Sequence, residues 1–220
     1  MRLDTIQLRD ALPCVFRGAE TEPPVNGSQI WLHDVTFTRG GVYMIEAESG
    51  TGKSSLCSYI YGNRHDYTGS ILFNGKDIRN FSVKEWCDFR CRHIALLPQE
   101  MRLFPELTAM ENIEIKNRLT GCKSRDEILA MLDRLEIAGK ADVPASRLSI
   151  GQQQRVAIVR ALCQPFDFLL LDEPVSHLDA RNNAVVASIV AEEAASRDAG
   201  VIATSVGYAI ALEVTRKYSL

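Results

Sequence analysis

Residues 47–55 read Ala-Glu-Ser-Gly-Thr-Gly-Lys-Ser-Ser, and this stretch decides the fold. It starts where the apolar segment 42–47, which favours a strand, ends, and it leads into residues 53–61, which favour a helix. A glycine-rich turn at the start of a helix exposes successive backbone N–H groups, and these attract a polyanion. The stretch therefore predicts a phosphate-binding loop between a strand and a helix.

Individual residues of this loop suit a nucleoside triphosphate. Gly50 and Gly52 let the backbone approach a ligand closely, Lys53 can reach the β- and γ-phosphates, and the Ser54 hydroxyl can bind Mg²⁺. The usual pattern begins with glycine, and Ala47 at that position is the smallest departure available. The loop therefore predicts that the chain binds ATP together with Mg²⁺.

A second stretch, residues 166–174, reads Phe-Asp-Phe-Leu-Leu-Leu-Asp-Glu-Pro. Its apolar part predicts a buried strand that ends in Asp172 and Glu173, at the sheet edge where the phosphate loop also lies. We expect Asp172 to hold Mg²⁺, directly or through water, and Glu173 to polarise the water that attacks the γ-phosphate. An acid pair at a strand end is common by itself, so its weight comes from the loop upstream.

The remaining pattern alternates strands with helices, several strands being apolar throughout. This favours an α/β fold with a mostly parallel sheet covered on both faces, an antiparallel β part and an inserted helical lobe at about residues 100–160. We expect one domain over residues 1–220. The predicted strands are residues 5–8, 14–17, 31–38, 42–47, 94–97, 166–171 and 201–204, with a hairpin turn at Asn74-Gly75, and the predicted helices are 53–61, 82–92, 151–163, 180–196 and most of 108–135.

Composition narrows the class of partner. The chain has 25 Lys and Arg against 28 Asp and Glu, a net charge of −3, so we expect no nucleic-acid partner. The apolar stretch 201–212 is shorter than the roughly 20 residues of a membrane span, and residues 1–10 lack a secretory apolar core, which favours a cytoplasmic chain. Of the six cysteines only Cys87 and Cys91 lie close in sequence, so we expect neither a disulfide nor a zinc site.

Two further motifs carry a family resemblance: Leu-Pro-Gln at residues 97–99, and LSIGQQQRVAIVRAL at residues 148–162, just before the acidic strand. In this order along nearly the whole chain, the four motifs resemble the ATP-binding-cassette (ABC) ATPases. The resemblance implies that Gln99 couples Mg²⁺ and the attacking water to the helical lobe. It also implies that Ser149 and Gly151 contact ATP bound on an opposite subunit, and that Asp179 crosses the dimer interface.

The resemblance and the loop together give the following candidate residues. The catalytic candidates are Glu173 and Gln99; the Mg²⁺ candidates are Ser54, Gln99 and Asp172; the candidates for contact with ATP are Phe16, Ala47, Glu48, Ser49, Gly50, Thr51, Gly52, Lys53, Ser54, Ser55, Ser149, Gly151, Gln152, Asp179 and Ser205. Phe16 is the candidate for stacking on adenine, with plain core packing as the alternative.

Three departures from the family pattern bear on activity. Ile150 stands where the family usually has glycine, and Ser205 stands where most members have a histidine that contacts the γ-phosphate. The loop 20–29 also separates Phe16 from the phosphate loop by more residues than is usual. Because Glu173 is intact, we expect a working but slow hydrolase.

By resemblance, the chain is an ATP-hydrolysing subunit that closes as a dimer, here a homodimer, and powers a separate transmembrane permease from the cytoplasmic face of the membrane. Residues 103–113 and the QQQRVAIVRAL segment resemble the small ATPases of lipoprotein release, macrolide export and cell division. The alternative is an ATP-dependent scaffold in which hydrolysis is incidental. An ABC ATPase that acts on DNA or ribosomes would need basic surfaces or coiled-coil heptads, and a phosphate-loop kinase would leave LSIGQQQR unexplained.

Overall fold

The computed structural model describes residues 2–220, which form nine strands and six α-helices. The strands are β1 (Thr5–Pro13), β2 (Val35–Thr38), β3 (Val42–Glu46), β4 (Tyr67–Phe73), β5 (Lys76–Asp77), β6 (Ile94–Leu97), β7 (Phe168–Asp172), β8 (Gly200–Ser205) and β9 (Arg216–Ser219). The helices are α1 (Lys53–Ile60), α2 (Val83–Arg92), α3 (Ala109–Asn117), α4 (Arg125–Arg134), α5 (Ile150–Leu162) and α6 (Ala180–Arg197).

The strands form two sheets. A parallel sheet has the order β6-β7-β8-β3-β9, and an antiparallel sheet has the order β2-β1-β4-β5. The turn between β4 and β5 consists of Asn74 and Gly75, whose φ angles of 48° and 82° fit a type I′ hairpin. The α/β class with a parallel core and an antiparallel part is confirmed.

The parallel sheet separates two hydrophobic cores. Along β7, Phe168 and Leu170 point into one core, while Leu169 and Leu171 point into the other, because side chains alternate along a strand. The first core contains α1 and the antiparallel sheet, and the second contains α3, α4, α5 and α6. Burial on both faces explains why β7 is apolar until Asp172.

Five of the six helices start with a side-chain cap. Helices α2, α3, α4 and α5 each begin with a capping box, and Asp179 accepts a hydrogen bond from the Asn182 N–H at the start of α6. Helix α1 differs: its N-cap is Gly52, and within residues 2–220 its first amides receive no side-chain cap.

Two predicted strands are wrong in part. Residues 14–17, predicted as a strand, contain a 3-10 turn at Cys14–Phe16 directly after Pro13, so Phe16 lies on a turn. The predicted strand 31–38 begins only at Val35, because Leu32 has a φ of 61° and the chain turns there. Strand β9, which the sequence analysis did not predict, pairs with β3 at the sheet edge.

The segment around residues 100–160 packs onto one face of the parallel sheet. Ile113 of α3 and Ile128 and Leu132 of α4 belong to the same core as Leu169 of β7. The division of the chain into a single domain with a helical lobe at about residues 100–160 remains a prediction. No helix within residues 2–220 is both long enough and apolar enough to cross a membrane.

Candidate functional site

The loop between β3 and α1 lies at the carboxyl edge of the parallel sheet. Gly50 and Gly52 have φ angles of 87° and 102°, in the region that favours glycine. A Cβ on Gly52 would lie 3.0 Å from the Trp31 ring and 3.5 Å from the Phe16 ring, so a larger residue would be strained. Because α1 starts at Gly52 without a side-chain cap among the described residues, its first amides remain available to an anion.

Lys53 lies directly beneath this loop. Its side chain is only 5% exposed, and its Nζ donates to the Glu48 carbonyl at 2.6 Å and, more weakly, to the Ala47 carbonyl at 3.5 Å. The same Nζ lies 3.9 Å from Glu173 Oε1. A buried ammonium needs such acceptors, and these place its charge beside the loop.

The end of β7 brings both predicted acids to this edge. Asp172 is buried, and its Oδ1 accepts a hydrogen bond from Thr204 Oγ1 at 2.8 Å. Burial raises the pKa of the neighbouring Cys57 thiol, and the Asp172 charge raises it further, so that thiol stays neutral. Glu173 has a φ of 50°, a strained angle for a non-glycine residue, and its N–H donates to Thr204 Oγ1 at 3.2 Å.

A polar cavity of about 240 Å³ joins the loop to the strand end. Gln99, which follows β6, reaches it, and the Ser54 hydroxyl donates to Gln99 Oε1 at 3.3 Å. The cavity is lined by Ser49, Gly50, Gly52, Lys53, Ser54, Ser55, Gln99 and Glu173.

The residues around this cavity fit Mg²⁺ in their donor chemistry. Ser54, Gln99 and Asp172 offer hydroxyl, amide and carboxylate oxygens, which hard divalent cations prefer. Ser54 and Gln99 line the cavity, and Asp172 lies in the strand position immediately before Glu173. The basic Lys53 and the loop amides complement a phosphate chain at the same place.

The LSIGQ segment lies apart from this cavity at the N-terminus of α5. Ser149 Oγ accepts from the Gln152 N–H at 3.3 Å, and Gln152 Oε1 accepts from the Ser149 N–H at 3.0 Å. Gly151 packs closely against the backbone of His177, since an added Cβ would lie 3.0 Å from the His177 carbonyl oxygen. Ile150 is half exposed. Asp179, at the start of α6, is exposed, and the hydrogen bond that its carboxylate accepts from the Asn182 N–H lowers its pKa.

The other nominated residues lie around the loop. Phe16 is half-buried beside Gly52, and Ser55 Oγ accepts from Arg64 at 2.9 Å. Ser205 ends β8 with only 2% exposure, and its carbonyl accepts from the Ala47 N–H at 3.2 Å. Ala47, Glu48 and Thr51 line a separate cavity, together with residues of the loop 20–29 and the C-terminal strand.

Two residues that the sequence analysis missed hold Glu173 in place. Thr204 bonds both Asp172 and the Glu173 amide. Gln154, 2% exposed, donates to the Glu173 carbonyl at 3.2 Å and to Ser176 Oγ at 3.3 Å, and accepts from the His177 N–H at 3.0 Å. The sequence signal for Thr204 was its position as a polar residue near the end of an apolar strand. For Gln154 the sequence gives no such signal, because it does not show which of the three consecutive glutamines at 152–154 is buried.

Comparisons with known proteins agree with this geometry. The sequence profile of the family described as "ABC transporter" matches residues 32–176. The ABC transporter ATP-binding protein YtrE of Bacillus subtilis (strain 168) is 36% identical over 179 residues, which cover 79% of this chain and 75% of YtrE. The macrolide export ATP-binding/permease protein MacB of Rhodopseudomonas palustris (strain BisB18) is 34% identical over 197 residues, which cover 86% of this chain but 30% of MacB.

A solved structure shows the same fold. The ATP-binding cassette MJ0796, in a dimeric post-hydrolysis state bound to ADP and Pi, superposes with a TM-score of 0.74 at 22% identity. The superposition covers 91% of this chain and 87% of that one. With the sequence matches, these findings show that the chain belongs to the ABC transporter family, as one of its ATP-binding subunits.

Proposed function

We propose that this chain hydrolyses ATP in the presence of Mg²⁺ at the cavity between the phosphate loop and the end of β7. One observation carries the proposal: the start of α1, which no described side chain caps, the buried ammonium of Lys53 and the carboxylate of Glu173 border the same cavity. Donors for the phosphates and a base for water are therefore within reach of one ligand.

Each residue has a distinct role in the proposed reaction. The loop amides and Lys53 bind the β- and γ-phosphates, and Glu173 polarises a water that attacks the γ-phosphorus. The bond between that phosphorus and the bridging oxygen breaks, and ADP and phosphate leave. Ser54, Gln99 and Asp172 would hold Mg²⁺, which when bound neutralises charge on the phosphates.

The strained backbone at Glu173 supports this role. A φ of 50° turns the residue out of the extended strand. Its N–H donates a hydrogen bond to Thr204 Oγ1, and its carbonyl accepts one from Gln154 Nε2. Strain that neighbouring groups stabilise is typical of residues whose position matters for function. We infer that Glu173 is the catalytic carboxylate and that Thr204 and Gln154 position it.

We further propose that two copies close on ATP and that the dimer drives a separate membrane subunit. The start of α5 supports the first part. Ser149 and Ile150 are exposed there, and neither is among the described residues that line the cavity of the same chain, so this helix start is free to contact ATP held by a second copy. MJ0796 is dimeric, which also supports the first part by relationship. MacB is named as an ATP-binding/permease protein, which supports the second part by relationship. Such a dimer would sit on the cytoplasmic face of the membrane through its partner.

The test compares the wild-type chain with Glu173→Gln. We expect measurable Mg²⁺-dependent turnover that Glu173→Gln lowers by about 100-fold or more, with ATP affinity changed by less than about 3-fold, because the phosphate contacts remain. Phosphate release and equilibrium ATP titration measure the two quantities. Glu213→Gln, at an exposed carboxylate outside the cavity, is the matched control.

Two outcomes would contradict the proposal. Unchanged turnover in Glu173→Gln would place the base elsewhere. No turnover in the wild-type chain, even with the membrane protein that co-purifies with it, would reject hydrolysis. If the complex with the membrane protein also keeps its cellular role when it carries Glu173→Gln, the result would favour the alternative of an ATP-dependent scaffold.

A further inference from the structure

Trp31 lies beneath the phosphate loop and contacts it directly. Its side chain is 1% exposed, and its indole Nε1–H donates to the carbonyl of Thr51 at 3.0 Å. Its ring carbon Cζ2 lies 3.0 Å from where a Cβ of Gly52 would be. The loop therefore rests on an indole ring that both supports it and bonds it.

The segment before β2 is folded so that Trp31 points inward. Ser28 is buried, and its Oγ accepts from the Trp31 N–H at 2.8 Å and from the Ile30 N–H at 3.0 Å. Leu32 then takes a φ of 61°, and its N–H donates to the Ala11 carbonyl at 3.0 Å. These contacts turn the chain back toward the loop, which explains why β2 starts at Val35 and not at Trp31.

We propose that Trp31 is a positioning residue for ATP binding, an inference that rests on the proposed function. A trans peptide is planar, so its C=O and N–H point in opposite directions. The Trp31 bond directs the Thr51 carbonyl toward the indole and therefore directs the Gly52 N–H away from it. Since Gly52 lines the cavity, that amide is held ready for a phosphate oxygen.

Removing the indole N–H would leave the carbonyl of Thr51, a residue that is 8% exposed, without this donor. A buried carbonyl that loses its partner favours any rearrangement that finds another one, and rotation of the 51–52 peptide would take the Gly52 amide out of position. The defect should therefore appear in binding of the phosphates, and less in the reaction of bound ATP.

The experiment compares Trp31→Phe with Trp86→Phe. The first variant keeps an aromatic ring under the loop but removes the donor, and the second makes the same replacement in α2, outside the cavity. In Trp31→Phe we expect affinity for ATP and for ADP to fall by about 3- to 10-fold, KM to rise equally, and kcat to stay within about 2-fold. In Trp86→Phe, both affinities should remain at the wild-type value.

Thermal unfolding separates positioning from general stability. Positioning predicts a smaller upward shift of Tm on adding ATP to Trp31→Phe than to Trp86→Phe, whatever the Tm values without nucleotide. If Trp31→Phe does not fold, Ser28→Ala provides the second variant, since it loosens Trp31 without removing it. That variant should weaken ATP binding by about 2- to 5-fold.

Each failure has a different meaning. A wild-type chain that binds no ATP would refute the proposed function and, with it, this inference. A wild-type chain that binds ATP, with equal affinity in a folded Trp31→Phe, would refute the role of Trp31 alone. Unchanged affinity in Ser28→Ala, should Trp31→Phe fail to fold, would do the same.

Discussion

Helices α1 and α5 both begin at residues nominated for contact with ATP, but they begin in different ways. At α1, the cap is Gly52, and the described residues supply no side-chain cap. Buried Lys53 is the first residue of the helix, and its Nζ lies 3.9 Å from Oε1 of half-buried Glu173. At α5, Ser149 and Gln152 satisfy each other's amides in a capping box. Ile150, the first residue of α5, is 50% exposed.

The difference in capping indicates how each helix start can contact a ligand. At the start of α1, no side chain of residues 2–220 caps the first backbone donors, and the groups around them suit a phosphate chain. This helix start can therefore bind a ligand within one chain. At α5 the Ser149 hydroxyl accepts from Gln152 but keeps its own proton to donate. Ser149 is not among the described residues that line the cavity of its own chain, so in the proposed dimer its hydroxyl would donate to ATP held by the other chain. We therefore expect changes at α1 to affect affinity and changes at α5 to affect turnover.

The largest expected effect is at α1. Lys53→Ala removes a buried charge next to the loop, and we expect ATP affinity to fall by about 100-fold or more, since contacts to charged groups are the strong ones. Equilibrium titration of the isolated chain measures it. Lys84→Ala, at an exposed lysine of α2, should bind ATP as the wild type does. Equal affinity in the two variants would remove the basis for placing phosphate at this loop.

A smaller effect is expected where α5 contacts the end of β7. Gln154→Leu keeps the volume but leaves the Glu173 carbonyl, Ser176 and the His177 amide without their shared partner. We expect turnover to fall by about 10-fold, with the free energy of unfolding lower by about 1–3 kcal/mol and ATP affinity within about 2-fold. Phosphate release, chemical denaturation and ATP titration measure these.

The neighbouring glutamine supplies the control for that change. Gln153 donates to the carbonyls of Ala145 and Leu148 and has no hydrogen bond to Glu173 among those that the described residues make. Gln153→Leu should therefore lower stability by a similar amount with a smaller loss of turnover. If both variants lose turnover in proportion to stability, Gln154 has no special connection with Glu173.

The parts that the sequence predicts correctly depend on local patterns. The glycine spacing around Gly50 and Gly52, the apolar run that ends in Asp172, and the Asn74-Gly75 turn each depend on neighbours in the chain, so one segment contains the signal. The strand order and the two cores follow less directly, but apolar strands alternating with helices already favour a covered parallel sheet.

The parts that it does not predict depend on long-range contacts. Trp31 turns inward because Ser28 and Ala11 bond the backbone around it, which no periodicity reveals. Strand β9 is short and charged, and it forms because β3 offers an open edge. Gln154 and Thr204 gain their importance from Glu173, which lies 19 and 31 residues away along the chain.

The smallest expected effect is at the exposed start of α5. Ile150→Gly removes a branched side chain where a second chain would have to approach the backbone closely, and we expect turnover at limiting protein concentration to rise by about 3-fold, with ATP affinity unchanged. Glycine in a helix costs up to about 1 kcal/mol, so some stability is lost. The measurement is turnover per chain as a function of protein concentration. In Ile150→Gly, the concentration at which turnover reaches half its maximum should be lower than in the wild type.

Val83→Gly is the matched control for this variant. Val83 is also a β-branched, exposed residue that starts a helix directly after a serine in a capping box. The helix penalty should therefore be similar, whereas the close approach of a partner is proposed only at α5. If both variants change turnover alike, the effect of Ile150 comes from its own helix. That result would contradict the proposal that a second chain contacts the start of α5.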